Sequence, residues 1–127
     1  MLNSRSKRRK IKYVYVAGPY TGNEGPNTTA AAKMGSKIRS AGMVPFVPHL
    51  MSHLWQIITP YSYEEWMEFF FEWIKRCDAV VQMAKSPGSD REVAFARGLG
   101  KPTFESFGEL LDYNASINEL AEKVTCS

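Results

Sequence analysis

Four short apolar runs, each followed by a stretch able to form a helix, constrain the fold of this chain more than any other feature. Lys12 to Ala17 is β-branched and aromatic and ends at Gly18-Pro19, which predicts a buried strand. A loop rich in turn residues, Gly18 to Pro26, leads to Asn27, which can cap a helix running through Ala30-Ala31-Ala32 and Ile38 to a stop at Gly42. Met43 to Val47 predicts a second strand, and Pro45 within it points to a sheet edge or a strand start. From Pro48 to Tyr61 the pattern supports only a short helical turn and a loop. Ser62-Tyr63-Glu64-Glu65 has capping-box spacing and opens a helix from about Tyr63 to Arg76. Asp78 to Met83 is the third strand, followed by a helix that ends at Leu99 before Gly100-Lys101-Pro102. Thr103-Phe104 begins the fourth strand, and Ser106…Glu109 and Ser116…Glu119 predict caps for two short C-terminal helices. The resulting order, β-α-β-α-β-α-β-α with no repeat and no linker, predicts one doubly wound α/β domain with helices on both faces of a parallel sheet.

Composition narrows the setting. With 44% hydrophobic and 23% charged residues and a mean hydropathy of −0.30, the chain can bury a core, and disorder is excluded over most of its length. No apolar run approaches the roughly 18 residues of a membrane span. The basic N-terminus has no apolar segment behind it, so a secretory signal is not expected. Cys77 and Cys126 read as free thiols in a reducing compartment. The net charge of +3 is a property of the arm: residues 1–12 carry Arg5, Lys7, Arg8, Arg9, Lys10 and Lys12 and no acid, leaving the remainder at −3. Residues 1–11 are therefore expected to form a basic arm ahead of a domain spanning 12–127. The arm reads as a solvated leader, with nucleic-acid binding as the alternative, because no aromatic residues interleave its charges.

The candidate chemistry lies at Ser86-Pro87-Gly88-Ser89-Asp90-Arg91-Glu92, directly after the third strand. Ser89 stands where an N-cap would, with Glu92 three residues on, again the spacing of a capping box. A carboxylate in the first helical turn feels the positive end of the helix dipole and is expected to be ionised near neutral pH. Small residues before it leave room for an anion on exposed N–H groups. The plain alternative is that Glu92 only caps its helix. In open α/β sheets ligands bind beyond the carboxyl ends of the strands. The loops after Ala17, around His49 and from Ser86 to Glu92 all fall there, which favours a functional Glu92.

These segments also carry a resemblance. Tyr15-Val16-Ala17-Gly18-Pro19-Tyr20, Pro45-Phe46-Val47-Pro48-His49, Arg76-Cys77-Asp78-Ala79-Val80-Val81, Ser86 to Glu92 and Gly100-Lys101-Pro102 resemble, in order, the nucleoside 2-deoxyribosyltransferase superfamily. The likeness extends over roughly residues 12 to 105 and is strongest to short phage and bacterial members and to deoxynucleoside 5'-monophosphate N-glycosidases. It implies a flavodoxin-like or Rossmann-like sheet and an enzyme, hydrolase or transferase, that cleaves the N-glycosidic bond of a 2'-deoxynucleoside 5'-monophosphate through a covalent glycosyl-enzyme. By that resemblance Glu92 matches the nucleophile and Tyr15 a strand tyrosine beside the sugar. Ser86 matches a phosphate-binding serine helped by Gly88 and Ser89. Gly18, Pro19 and Tyr20 match the loop around the nucleotide, and His49 a histidine at the site edge. The resemblance implies a bacterial or phage cytoplasmic setting, no cofactor and a small-molecule nucleotide or nucleoside partner, and with the broad apolar helix 63–76 it points to a homodimer or higher homo-oligomer. One position departs: the superfamily usually has an aspartate eight residues before the equivalent of Asp78, where this chain has Phe70. Glu68 and Glu72 lie about 200° of helical rotation away and do not share its face. That departure keeps open a catalytically silent nucleotide-binding or regulatory domain.

Other candidates are weaker. His49 and His53 have the i, i+4 spacing of zinc ligands, but no further cluster completes a site, so no metal is expected. Trp66, Met67, Phe69, Phe70, Phe71, Trp73, Ile74 and Cys77 are too many apolar residues for one helix face. Core or subunit packing is the preferred reading over a base-stacking wall. Asp78 reads as a cap or loop ligand, and no phosphate-loop lysine is present to support triphosphate hydrolysis.

Overall fold

The computed structural model describes residues 9–126, with side-chain surroundings through residue 120. Among the described residues four strands and five helices follow in the order β1 (Tyr13–Ala17), α1 (Glu24–Ser40), β2 (Val44–Phe46), α2 (Pro48–Ile58), α3 (Tyr63–Arg76), β3 (Ala79–Gln82), α4 (Pro87–Gly98), β4 (Thr103–Phe104) and α5 (Phe107–Cys126). All strands are parallel, in the spatial order β2-β1-β3-β4, so the expected doubly wound α/β fold is the fold observed. Tyr13 faces Val44, Val14 faces Ala79, and Val81 faces Phe104 across the ladders. Pro45 lies on the edge strand, where a missing N–H costs no ladder bond.

Alternation along β1 and β3 sends successive side chains to opposite faces. Val14, Val16, Ala79 and Val81 pack with Ala31 and Ile38 of α1 and Leu110 of α5. Tyr15, Ala17 and Val80 pack with Phe70 and Ile74 of α3 and Val93 and Ala96 of α4. Asp78 fixes the start of β1: its Oδ2 accepts from the N–H groups of Lys12 (2.9 Å) and Tyr13 (2.8 Å). α1 presses close to the sheet, since a Cβ on Gly35 would stand 2.7 Å from Val47 Cγ2.

Several expectations are corrected. α1 begins at Glu24, with Asn23 rather than Asn27 at the N-cap position; the Asn27 amide instead donates to the Tyr20 carbonyl. The stretch after Pro48 is a full 11-residue helix, α2, with Pro48 at its first position, where a missing N–H is harmless. The C-terminus is one helix, α5, rather than two, and Ser116 spends its hydroxyl on the Tyr113 carbonyl within the helix. At α3 the Ser62–Glu65 capping box is present in both directions. The broad apolar set of α3 is covered largely within the chain: Met67, Phe70 and Ile74 are buried, and Trp66, Phe71 and Trp73 are half-buried. Residues 1–8 of the expected basic arm lie outside the described residues, whereas Ile11 is buried in the core with both backbone groups held by Asn114.

Candidate active site at the strand ends

β1 and β3 are the strands between which the winding direction reverses, the place where doubly wound sheets hold ligands. A cavity of about 300 Å³ opens there, at the small end of the range for ligand sites. The β1 loop contributes Gly18 and Tyr20, α2 contributes His49, Ser52 and Gln56, and α4 contributes Ser86, Gly88, Ser89 and Glu92. Its remaining wall is aromatic, built from Tyr61, Tyr63, Trp66 and Phe70.

Glu92 sits at this wall with 7% of its surface exposed. Its position differs from the expected one. The N-cap of α4 is Ser86, not Ser89, and the capping box joins Ser86 to Ser89, so Glu92 lies past the first turn. Its carboxyl is accordingly not held ionised by the helix end. Burial pushes its pKa up to about 7, with the Tyr15 hydroxyl acting in the opposite sense. Tyr15 is fully buried on β1 and donates to Glu92 Oε2 at 2.5 Å. Burial, then the Glu92 charge, holds the Tyr15 phenol well above its ordinary range, so it stays a donor. A carboxyl poised near neutrality can serve as nucleophile or as acid–base group.

The serines have a structural duty. Ser86 Oγ accepts from the Ser89 N–H, and Ser89 Oγ accepts from the Ser86 N–H and from Gln82 Nε2 and donates to the Ala84 carbonyl. Pro87 has no N–H, so among the described residues the free N–H in this first turn is that of Gly88. Among the described residues no lysine or arginine lines the cavity. A methyl at Gly88 would meet the Tyr63 hydroxyl at 3.5 Å, inside the cavity.

His49 is buried, and its Nε2 donates to the Pro19 carbonyl at 2.9 Å. Burial lowers its pKa, and the neutral ring leaves Nδ1 as an acceptor with no partner among the described residues. Pro19 therefore acts through its carbonyl and does not line the cavity. His53 Nδ1 meets the Tyr20 hydroxyl at 2.9 Å. The two histidines are thus separately engaged, and among the described residues no group of three or more metal-ligating side chains converges.

Tyr15, Gly18, Tyr20, His49, Ser86, Gly88, Ser89 and Glu92 are brought to one strand-end region, as their sequence positions suggested. Phe70 is buried in the cavity wall and stacks on Trp66 (centroids 5.4 Å apart, 14° between planes) and edge-on to Tyr15 (6.5 Å). Glu68 does not line the cavity, and Glu72 pairs on the surface with Lys75 and Arg76, so neither carboxylate replaces the missing aspartate. Tyr61, Tyr63 and Gln56 were not singled out from sequence as site residues, and Trp66 was read as packing in preference to a base-stacking wall. The i, i+4 pair Trp66–Phe70 was the available signal, obscured because the same helix also supplies Phe71 and Trp73 to packing.

Fold and site together define a small parallel α/β domain with a protonatable acid buried at the switch point of its sheet. Residues 12–105 match the family described as a domain of unknown function, DUF7768, and the chain belongs to that family. Among curated proteins none matches this chain.

Proposed function

We propose that this protein cleaves the N-glycosidic bond of a 2'-deoxynucleoside or its 5'-monophosphate, with Glu92 as the nucleophile. The observation that carries the reading is the buried Glu92–Tyr15 pair at the base of an aromatic-walled cavity. In the ionised form a Glu92 oxygen attacks the anomeric carbon, the carbon–nitrogen bond breaks, and the base leaves with the bonding pair and takes a proton from solvent. Water, or a second base, then attacks the same carbon and releases the carboxylate, which is the two-step course of retaining glycosyl transfer. Tyr15 orients the carboxylate and supports its charge. Trp66 and Phe70 offer faces on which a base can stack, and the Gly88 N–H offers a donor for an anionic 5' end. The chemistry needs no cofactor and fits a cytoplasmic setting, in keeping with the absence, among the described residues, of a helix long and apolar enough to cross a membrane.

The test is incubation with a panel of deoxynucleosides and their monophosphates, followed by chromatography for free base. Base release is expected, with loss of about a thousandfold or more in Glu92→Gln, the usual scale for a deleted catalytic group. Release that survives the substitution would refute the assignment. The aromatic Phe70 in place of a carboxylate favours a second reading, a nucleotide-binding domain without turnover. Calorimetric binding of a deoxynucleotide with no base released would select it.

A further inference from the structure

We infer that the outer face of α2 is a self-association surface that receives the same face of a second copy of this chain. From Ser40 to Tyr63 the sequence contains no Asp, Glu, Lys or Arg, although 23% of the whole chain is charged. α2 lies inside this stretch and has two unlike sides. Its inner side, with His49 and Ser52 buried, forms a wall of the cavity. Its outer side presents Leu50 (58% exposed), Leu54 (61%), Ile57 (71%) and Ile58 (70%) to solvent. These stand at i, i+4, i+7 and i+8 and so form one stripe.

The stripe continues beyond the helix. Trp55, three residues before Ile58, makes edge contacts with Tyr61 (6.2 Å), Trp66 (5.8 Å) and Phe69 (5.9 Å), and Trp55, Tyr61 and Phe69 are themselves exposed. From their fractional exposures these side chains leave roughly 700 Å² uncovered, more than the largest patch of a typical monomer. Two such faces supply about 1,400 Å², within the range of a stable interface.

The chemistry of the face selects its occupant. An isologous contact sets a patch against itself, so any charge would meet its like near the axis, and a patch without charge avoids that penalty. A helix that lies on a membrane surface instead carries lysine and arginine on its polar side. α2 has none, and the helix after it opens with Glu64, Glu65 and Glu68. Because the inner side of the same helix walls the cavity, association braces that wall. The inference does not depend on what the cavity binds.

The experiment is sedimentation equilibrium of the full chain over a micromolar dilution series, with tryptophan emission followed in parallel. We expect a mass of twice 14.4 kDa at the upper end, and a red shift on dilution as Trp55 becomes exposed. Leu54→Glu combined with Ile57→Glu is expected to weaken association at least about tenfold with unchanged far-UV circular dichroism. Should the pair disturb folding, Ile57→Lys alone, at a position 71% exposed, provides the same readout. A chain that stays at 14.4 kDa throughout, or an oligomer indifferent to these substitutions, overturns the inference. So does a monomer that co-sediments with vesicles of anionic phospholipid.

Discussion

Each face of the sheet has its own buried cluster, and the two treat polar groups differently. On the α1/α5 face the core is mainly aliphatic, and the buried Asn114 is fully used: its Oδ1 accepts from Ile11 N–H (2.9 Å), and its Nδ2 donates to the Ile11 carbonyl (3.1 Å). On the α3/α4 face the core is rich in aromatic rings and abuts Glu92, a carboxyl near neutrality with Tyr15 as its hydrogen-bond donor; close by, His49 Nδ1 has no partner among the described residues. A satisfied buried polar group specifies structure, whereas a buried acid with spare acceptor capacity costs stability and is kept where chemistry uses it. The comparison sets a satisfied polar group on one face against the buried acid that the proposed function uses on the other.

The largest effect that can break this division is on the aliphatic side. Leu110→Ala removes a fully buried side chain and is expected to cost about 2–5 kcal/mol in denaturant unfolding, while base release per folded molecule is unchanged. A parallel loss of turnover would show that the two faces are not separable.

Next comes the converse substitution. The folded pKa of Glu92 stands near 7, above the ordinary value of 4.5, so the folded state holds a proton that the unfolded chain has released. The associated stability is complete below pH 4.5 and is lost as pH rises through 7, about 3 kcal/mol in all. Glu92→Gln abolishes this titration. The variant should be more stable than the parent at pH 8 and lose the advantage toward pH 4.5, even as its activity disappears. Thermal unfolding across that range measures it, and parallel curves would mean that the acid is not buried as described.

The smallest of the three is Tyr15→Phe. Removing the hydroxyl deletes the one influence that lowers the Glu92 pKa. The rising limb of the pH–rate profile, expected near pH 7, should move to higher pH, with about a tenfold to hundredfold loss at neutrality. A uniform loss without a shift would confine Tyr15 to packing.

Much of this was legible in residues alone because it depends on local periodicity and short-range bonds. Val14 and Val16 against Tyr15 and Ala17 declare the two faces of β1, and Ser62 with Glu65 declares the start of α3. α2 was underread, since His49 and His53 offered a ligand spacing while its outward Leu50, Leu54, Ile57 and Ile58 resembled core residues with no core to face. The register of α4 was misplaced by three residues, because Ser86 and Ser89 are equally good caps by type and only the position of Gln82 and the Ala84 carbonyl beneath Ser89 decides between them.

The chain by itself determined the alternation of strands and helices, the parallel sheet and the gathering of three loops at one end of it, because each follows from side-chain period and the handedness of crossover connections. Only the tertiary structure decided the protonation of Glu92, the unused nitrogen of His49 and the outward turn of α2. Desolvation and partner geometry come from residues remote in sequence, and Tyr15, 77 positions from Glu92, is the clearest case.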